Sequence, residues 1–281
     1  MKFSTEKKVQ IARWLSWILI KLRAVFGRSP IIRANRRGLR WSLDLREGID
    51  LAIYLNVYEP ETIKTLAHII KPGNIVLDIG ANIGAITLPL ARYVGEFGRV
   101  ISFEPTVWAY DKLEKNLSLN PSLSQRVKAE QMMLLETEQQ APEFVYSSWN
   151  LTVEEDDSTH PQHKGRLMET NGVKGLSLDQ YLEEHPVDKI DLIKLDVDGY
   201  ELSVLKGARK TISFYRPKII LEMAPYIQEE KQQLEELLGE LSRAQYRLEE
   251  LISGKAILMD LKEIKQLCPI GGGINVLAIP Q

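Results

Sequence analysis

The chain has 281 residues, of which 44% are hydrophobic and 26% are charged, a composition typical of a soluble protein with one large or two small domains. Its single cysteine, Cys268, excludes an internal disulfide and a CxxC metal site, and it favours a reducing compartment. The formal net charge of −2 is uneven, because residues 1–42 hold eleven Lys or Arg and one Glu, giving +10, so residues 43–281 carry −12. Phosphate neutralisation supplies most non-specific affinity for nucleic acid, so an acidic main domain argues against a nucleic-acid partner.

The first predicted element is a helix in the basic N-terminal region. Its apolar run, residues 14–20, is shorter than the roughly 20 residues that span a bilayer, and the basic flank argues against a cleavable signal peptide. One helical face carries Ile11, Leu15, Ile18, Leu22 and Val25. The helix either packs on its own domain or a second subunit, or lies on an anionic membrane surface. We therefore expect a cytoplasmic protein, with peripheral contact at the inner membrane surface under the second alternative, and the oligomeric state stays open.

From residue 74 onward, short apolar strands alternate with helical segments, which is the order of a parallel sheet with crossover helices. The predicted strands are 74–80, 99–105, 127–135, 190–197, 217–224, 246–252 and 273–280. The predicted helices are 82–95, 107–119, 177–184, a segment that follows residue 200, and 227–244. Residues 136–176 are predicted to form a long irregular loop or lid. The last two strands have no clearly marked crossover helix between them, which suggests an antiparallel strand at the end of a doubly wound sheet.

The first strand ends in a glycine turn, Val76–Gly84, with the sequence VLDIGANIG. Its G-x-x-x-G spacing differs from the G-x-G-x-x-G of dinucleotide-binding turns, and Asp78 would be unfavourable beside a pyrophosphate. A carboxylate there suits a cofactor with cationic groups and hydroxyls. The second strand ends in Phe103-Glu104-Pro105, where Glu104 can accept hydrogen bonds from both ribose hydroxyls. Together these features predict a ribose-bearing cofactor at the carboxyl ends of the strands, although a plain strand–helix turn with incidental acids is the alternative.

Three carboxylates follow the strand that begins at Ile190, in the stretch IKLDVDGYE. Asp196 ends the fourth parallel strand, which lies next to the first in this arrangement, so we expect it beside the Gly80 turn. The chain turns at Gly199, and Glu201 begins a helix whose dipole favours a negative charge. For Glu201, a helix-capping charge and a role in the site therefore both remain open.

Several separated motifs resemble one known family. "VLDIGANIG", "FEP", "LSLDQYL", "IDLIKLDVDGYELSVLKGA" and "PKIILE" are similar, in this order, to the FkbM-type S-adenosylmethionine-dependent methyltransferases, over about residues 58–222. The resemblance implies an α/β class I methyltransferase (Rossmann-like) doubly wound sheet, mostly parallel with an antiparallel last strand. We expect this domain at 58–281, after a basic N-terminal helical extension at 1–57.

The resemblance also implies the chemistry. The cofactor would be S-adenosyl-L-methionine, and the methyl acceptor a hydroxyl of a sugar, glycan or secondary metabolite. Implied cofactor-binding residues are Asp78, Gly80, Ala81, Asn82, Gly84 and Glu104, the last on the ribose. One departure is that the family usually has Glu where this chain has Asp198, which keeps the negative charge but sets it back by about one methylene group.

Methyl transfer to an alcohol needs a group that removes the hydroxyl proton. Asp196 and Asp198 are the candidate bases, and Lys194, two residues before Asp196 and therefore on the same side of the strand, is predicted to pair with an acid or hold the acceptor. We predict no metal ligand. The candidate acceptor-binding residues are Asn150 beside Trp149, Glu201, and Glu222 at the end of the fifth strand, whereas His160 and His163 are expected to be solvated loop histidines.

Two other functions remain as alternatives. Asp196-Val197-Asp198 is a DxD pattern, which holds a divalent metal against a diphosphate in nucleotide-sugar glycosyltransferases, but the glycine turn has no place in such a site. The second alternative is a catalytically inactive binding module that keeps the methyltransferase fold. Binding of S-adenosylmethionine without turnover on any hydroxylated acceptor would favour the inactive module.

Overall fold

The computed structural model describes residues 5–152, 159, 165–225, 233–268 and 272–281. Its helices are α1 (Thr5–Val25), α2 (Gly48–Tyr54), α3 (Pro60–Ile69), α4 (Thr87–Tyr93), α5 (Val107–Ser118), α6 (Pro121–Ser124), α7 (Leu178–Glu184), α8 (Glu201–Lys206), α9 (Arg209–Tyr215), α10 (Leu234–Arg243) and α11 (Leu261–Leu267). Its strands are β1 (Ile31–Arg36), β2 (Leu39–Asp44), β3 (Ile75–Ile79), β4 (Arg99–Phe103), β5 (Val127–Glu130), β6 (Met133–Leu134), β7 (Gln139–Gln140), β8 (Phe144–Ser147), β9 (Arg166–Glu169), β10 (Lys174–Leu176), β11 (Leu192–Leu195), β12 (Lys218–Met223), β13 (Tyr246–Glu250), β14 (Ala256–Ile257) and β15 (Ile274–Pro280).

The main sheet has the strand order β14-β13-β15-β12-β11-β3-β4-β5. β3, β4, β5, β11 and β12 are parallel, and β15 lies antiparallel between β12 and β13. The class I methyltransferase topology, mostly parallel with an antiparallel last strand, is thus confirmed. Two elements near the C-terminus escaped the sequence analysis: β14 adds an eighth strand, and α11, whose first turn is capped by the Asp260 carboxylate, lies between β13 and β15.

The central strands are buried on both faces because helices cover the sheet on both sides. Alternate side chains of each strand enter different clusters: Leu77 and Ile193 pack on one side, and Val76 and Leu192 on the other. Near-continuous apolar runs such as Ile75–Ile79 are therefore needed here. The carboxyl ends of β3, β4, β11 and β12 reach one edge of the sheet, which is the edge where the predicted site residues were expected.

Several predicted boundaries differ from the structure. The helix predicted at 82–95 begins only at Thr87, because Asn82 (φ 48°) and Gly84 (φ 87°) have left-handed backbone conformations that a helix does not accept. The segment 136–176 contains the short strands β7 to β10 as well as loops. Of the helix predicted at 227–244, the described part begins at Leu234, and residues 226–232 lie outside the described ranges.

The hairpin β1–β2 attaches the N-terminal region to α5. Asn116 Oδ1 accepts a hydrogen bond from Ser42 N (2.9 Å), and Asn120 Oδ1 accepts one from Arg40 N (3.0 Å). The side-chain amides of Asn116 in α5 and of Asn120, directly before α6, thus satisfy donors along one edge of β2. Asn116 Nδ2 also donates to Ile83 O (3.0 Å), so the same side chain fixes both the hairpin and the glycine turn.

Helix α1 docks on the rest of the chain through a different face from the one the sequence pattern suggested. Its docked side chains are Ala12, Leu15, Leu19 and Ile20, which pack in a cluster with Leu45, Leu51 and Leu151. Ser16 Oγ donates to Leu45 O (2.7 Å) at the centre of this contact. Of the predicted apolar stripe, Leu15 docks, whereas Ile11, Leu22 and Val25 are exposed. None of the helices in the described ranges combines the length and apolar character needed to cross a bilayer.

Candidate active site

The glycine turn after β3 lets two strands approach closely. Gly80 has φ 86°, and a Cβ built on it would lie 1.8 Å from the carbonyl oxygen of Asp196, so no other residue fits. The N–H groups of Gly80 and Ala81 both donate to Phe103 O (3.0 Å each), which ties the turn to the end of β4. Gly84 also has a positive φ (87°), and its missing Cβ makes room for Leu113 of α5. The turn is therefore fixed by its neighbours on three sides.

Glu104, directly after β4, is buried and holds the same turn. One carboxylate oxygen accepts from Asn82 N (2.9 Å), and the other accepts from Thr106 N (2.9 Å) and Thr106 Oγ1 (2.6 Å). Burial raises the pKa of Glu104, and these hydrogen bonds oppose that rise because they favour the charged form. Asn82 Nδ2 donates onward to Ser147 Oγ (3.0 Å), which connects the turn to β8.

A buried lysine links the acids of β3 and β11. Lys194 and Asp78 occupy the same register on adjacent parallel strands, with Lys194 Nζ 3.9 Å from Asp78 Oδ1 and 3.0 Å from Asp196 Oδ2. Burial works against the charge of Lys194, but nearby carboxylates, above all Asp196 and Asp78, outweigh it and raise its pKa. Lys194 therefore stays protonated and can donate hydrogen bonds or balance charge, but it cannot act as a base.

Asp78 itself is fully buried behind this lysine. Its other carboxylate oxygen, Oδ2, accepts from Thr87 Oγ1 (2.6 Å), and burial raises its pKa. Two of the predicted cofactor-binding residues, Asp78 and Gly84, do not line either of the two cavities described below. Their contacts are with the protein, so they hold the glycine turn in place.

The turn after β11 places its three carboxylates in three different settings. Asp196 is 28% exposed, and its Oδ2 accepts from Lys194. Asp198 has a left-handed backbone (φ 47°), and its side chain lines the cavities described below. Desolvation by the surrounding protein raises the pKa of its carboxyl group, and so do the charges of Asp196 and Glu201. Glu201 is buried, and its Oε1 accepts from the N–H groups of Val197 and Gly199 (3.2 Å each). Glu201 therefore shapes the turn that presents the other two.

Two cavities open at this edge of the sheet. The first, of about 540 Å³, lies between Glu104, Thr106, Met132, Val145 and Tyr200. The second, of about 890 Å³, lies between Tyr58, Glu59, Trp149, Glu222 and Asn275. Both cavities share one wall, formed by Gly80, Asn82, Ser147, Asp196 and Asp198. Ala81 and Lys194 line only the second.

Some residues around the second cavity were not assigned a role by the sequence analysis. Tyr58, Glu59 and Asn275 line it, and of these only Tyr58-Glu59 left a signal, as the point where the family resemblance begins. Burial raises the pKa of Glu59, and burial together with Asp196 and Asp198 raises the pKa of Glu222 well above its usual range. Among the residues that the structure describes, four carboxylates thus face this cavity together with one positive charge, that of Lys194.

The structure does not bring every predicted residue to a cavity. Asn150 Nδ2 donates to Glu47 Oε1 (3.0 Å), and its Oδ1 accepts from Thr152, so its side chain belongs to a neighbouring polar cluster, while Trp149 beside it lines the second cavity. His160 and His163 lie outside the described residues.

A protein-family comparison identifies the chain. The family described as "Methyltransferase FkbM domain" matches residues 78–248, which is more than half of the sequence. The chain belongs to the FkbM methyltransferase family. It is an S-adenosylmethionine-dependent methyltransferase, as the motif resemblance implied, and the glycosyltransferase alternative is set aside by the family match.

Individual relatives agree with this family assignment. Methyltransferase sdnD of Sordaria araneosa is 29% identical over 164 residues, which cover 48% of this methyltransferase and 61% of sdnD, so the chain spans less than two thirds of that relative. Hexuronic acid methyltransferase AglP of Haloferax volcanii is 27% identical over 200 residues, which cover 70% of this chain and 75% of AglP.

Solved structures also align with the methyltransferase at low sequence identity. A methyltransferase FkbM from Methylobacillus flagellatus aligns with a TM-score of 0.47 at 17% identity, over 80% of this chain and 60% of that one. An O-methyltransferase from Bacillus cereus in complex with SAH aligns with a TM-score of 0.49 at 16% identity, over 80% of this chain and 82% of that one.

Proposed function

We propose that this methyltransferase transfers the methyl group to a hydroxyl of a sugar, a glycan or another hydroxylated metabolite. The observation that carries the proposal is the wall shared by the two cavities at Gly80, Asn82, Ser147, Asp196 and Asp198. Displacement at a methyl carbon needs the donor and the acceptor oxygen about 3 Å apart and in line. Two cavities that meet at one polar wall provide such a meeting point. We assign the first as the cofactor cavity and the second as the acceptor cavity.

The residues of the cofactor cavity suit S-adenosylmethionine. Glu104 offers a buried carboxylate to ribose hydroxyls, and Met132, Met133 and Leu134 give an apolar surface for the base. Gly80 leaves open the space that a Cβ would take, and the carboxylates of Asp196 and Asp198 face a cofactor that carries positive charge. The cofactor supplies an electrophilic methyl group on a sulfonium sulfur.

We assign Asp196 as the general base and Lys194 as its positioning partner. The carboxylate of Asp196 lies at the shared wall, where it could accept the proton of the acceptor hydroxyl as the O–C bond forms and the bond between the methyl carbon and the sulfonium sulfur breaks, with the electron pair staying on sulfur. Lys194 fixes one carboxylate oxygen at 3.0 Å and leaves the other for the acceptor. Asp198, whose raised pKa favours the protonated form, is better suited to donate a hydrogen bond than to remove a proton.

The walls of the acceptor cavity favour a polyhydroxylated acceptor. Glu59 and Glu222 offer carboxylate oxygens to hydroxyl donors, and Tyr58 and Trp149 offer aromatic surfaces. The name of the relative AglP, a hexuronic acid methyltransferase, supports a sugar among the possible classes.

Methyl transfer from labelled S-adenosylmethionine to a panel of sugars, glycans and lipid-linked sugars tests this function. We expect label in at least one hydroxylated compound, and chemical analysis should find the methyl on oxygen. Binding of the cofactor without label in any acceptor would instead support the inactive binding module.

Glu104 provides a direct test of the cofactor cavity. Glu104→Ala should weaken binding of S-adenosylhomocysteine by at least about tenfold in calorimetry, because it removes charge-assisted hydrogen bonds worth roughly 1.5–3 kcal/mol. Glu114→Ala, at an exposed position of α5, is the control and should leave the affinity unchanged. An unchanged dissociation constant for Glu104→Ala in a folded protein would show that Glu104 only holds Asn82 and Thr106.

We also propose that the N-terminal extension brings the enzyme to an anionic membrane surface. On the side of α1 that does not dock, Trp14, Trp17, Lys21 and Val25 follow one another at helical spacings of three or four and are all exposed. Phe26 and Arg28, directly after the helix, are exposed as well. Tryptophan and basic side chains together are typical of helices that lie in the interface of an anionic membrane, and the +10 charge of residues 1–42 complements such a surface.

Vesicle flotation tests this location. The enzyme should bind phosphatidylglycerol-containing vesicles at low salt and release them as salt is raised. Replacing Trp14 and Trp17 with Ser should weaken binding by about tenfold or more, since both rings would leave the interface. Phe214→Ser, which removes an exposed aromatic ring elsewhere, should have no effect. If the enzyme does not float, and the Trp variant instead loses self-association, the face is a subunit contact.

A further inference from the structure

A third cavity, of about 440 Å³, lies beside the acceptor cavity. We call it the arginine pocket, and its wall includes Arg36, Arg37, Trp41, Tyr58, Ala85 and Arg92. Tyr58 and Ala85 also line the acceptor cavity, so the two cavities are direct neighbours. The arginines come from the end of the β1–β2 hairpin and from α4. The family motifs of the sequence analysis include none of these three arginines.

The three guanidinium groups of this pocket carry positive charge that no carboxylate balances within the described residues. All of their hydrogen bonds go to backbone carbonyls: Arg36 donates to Tyr54 and Asn35, Arg37 donates to Asn56 (2.8 Å), and Arg92 donates to Arg37 (2.8 Å). A neutral carbonyl fixes the position of a guanidinium group without cancelling its charge. Each group has five N–H donors, so donors remain for a ligand.

Aromatic side chains also line the pocket. Trp41, Tyr58 and Tyr93 add aromatic surface to the same wall. The pocket therefore suits a ligand that offers hydrogen-bond acceptors and negative charge beside an apolar or ring-shaped part.

The two neighbouring cavities have opposite electrostatic character. Glu59, Asp196, Asp198 and Glu222 face the acceptor cavity, whereas among the described residues the wall of the arginine pocket has three cationic groups and no acid. An anionic group on the acceptor would be repelled by the carboxylate of Asp196 at the methyl-transfer end and attracted to the arginines. The pair of cavities would thus orient a molecule with a neutral hydroxyl at one end and a negative charge at the other.

We propose that the arginine pocket binds a carboxylate or phosphate group of the methyl acceptor, so that the substrates are acidic sugars methylated at a hydroxyl remote from that group. This proposal names the substrate class of the proposed function and rests on it. The arginines also brace the hairpin, but bracing uses only one or two donors of each guanidinium group. Charge complementarity at a fixed distance from Asp196 would then decide both which sugar is chosen and which hydroxyl reacts.

Calorimetry with the enzyme loaded with S-adenosylhomocysteine tests the pocket without turnover. The ligands are glucuronate, a glucose phosphate, inorganic phosphate and neutral glucose. We expect at least one of the anions to bind more tightly than glucose, and Arg37→Gln and Arg92→Gln each to weaken that binding by about tenfold or more. Arg33→Gln, on the same hairpin but outside the pocket, is the charge-matched control and should bind as the original enzyme does. Equal losses in all three variants, or no preference for any anion, would overturn the proposal.

Turnover separates this inference from the proposed function and identifies the source of the anion. With acceptors that differ only in the charged group, kcat/KM should be higher for the uronate or the sugar phosphate than for the neutral sugar. The better acceptor of the two then shows whether the pocket binds a carboxylate or a phosphate group. Arg37→Gln should reduce that preference mainly by raising KM for the charged acceptor, with a much smaller change in kcat/KM for the neutral sugar. If anions bind through the arginines but no hydroxyl is methylated, the proposed function fails and the anion site stands. If methylation proceeds equally well on charged and neutral sugars in every variant, the anion site fails and the function stands.

Discussion

Asp196→Asn should lower turnover by about 10²-fold or more, because an amide keeps the size of the side chain but cannot take the proton of the acceptor hydroxyl. Asp196 is the proposed base at the wall between the cofactor and acceptor cavities, where its second carboxylate oxygen is not held by Lys194. Lys194 is protonated and Asp198 has a raised pKa, so neither neighbour is suited to replace it. The measurement is initial rate on an acceptor found in the labelling screen.

The effect on stability should be small. The substitution removes one partner of Lys194, but it also removes a negative charge that lies next to the other acids of the acceptor cavity, and these two effects oppose each other. The loss in urea unfolding should therefore stay below the roughly 3–5 kcal/mol that removal of one partner of a buried ion pair typically costs. Asp191→Asn, at the other end of the same strand, is the matched control and should leave turnover unchanged.

Two further variants separate the neighbouring carboxylates. Asp198→Glu restores the residue usual in the family and should keep activity if Asp198 only shapes the turn. Glu201→Gln keeps an acceptor for the N–H groups of Val197 and Gly199, so it should cost about 1 kcal/mol of stability or less. Near-full activity of Asp196→Asn would place the base elsewhere, and Glu222, His160 and His163 would be the next candidates.

Gly80→Ala should cause a large loss of both stability and cofactor affinity. The new Cβ would lie 1.8 Å from the carbonyl oxygen of Asp196, and this backbone atom cannot move without separating β3 from β11. The left-handed backbone (φ 86°) adds roughly 1–2 kcal/mol of strain for any residue with a Cβ. With the overlap included, we expect at least about 3 kcal/mol in urea unfolding and at least about tenfold weaker binding of S-adenosylhomocysteine.

Gly73→Ala provides a close control for this substitution. Gly73 has nearly the same backbone angle (φ 87°), but nothing lies within 4 Å of a Cβ built there. It should therefore show the strain of the left-handed backbone alone, with unchanged cofactor affinity. If the two variants lose equal stability, the overlap between a Cβ at position 80 and the carbonyl oxygen of Asp196 adds no measurable free energy, because the backbone there relaxes at little cost.

Much of the fold could be predicted from the sequence because its signals are local. Buried parallel strands need runs such as Ile75–Ile79, and the turn between a strand and a helix needs glycine where φ is positive. The capping box of Ser177 and Gln180 at the start of α7 is likewise contained in four residues. Motifs of this kind, in a fixed order, were sufficient to indicate the family and the cofactor.

The different roles of the acidic residues depend on tertiary contacts that the sequence alone does not indicate. Glu201 and Asp196 are five residues apart, yet one bonds the backbone of its own turn and the other faces two cavities, and no local pattern distinguishes them. Glu104 reaches Asn82 across 22 residues, and Lys194 reaches Gly80 across 114. These contacts exist because strand order in the sheet brings distant segments together at one edge.

The same reason explains the docking face of α1 and the arginine pocket. A helical period marks which side chains share a face, but only the partner surface at Leu45, Leu51 and Leu151 selects the face that docks. In the sequence, Arg36 and Arg37 appear as part of a basic N-terminal region, and Arg92 as a single helix residue. The hairpin and α4 bring them together beside the acceptor cavity. Composition thus determined how much charge the chain carries, and long-range packing decided where that charge acts.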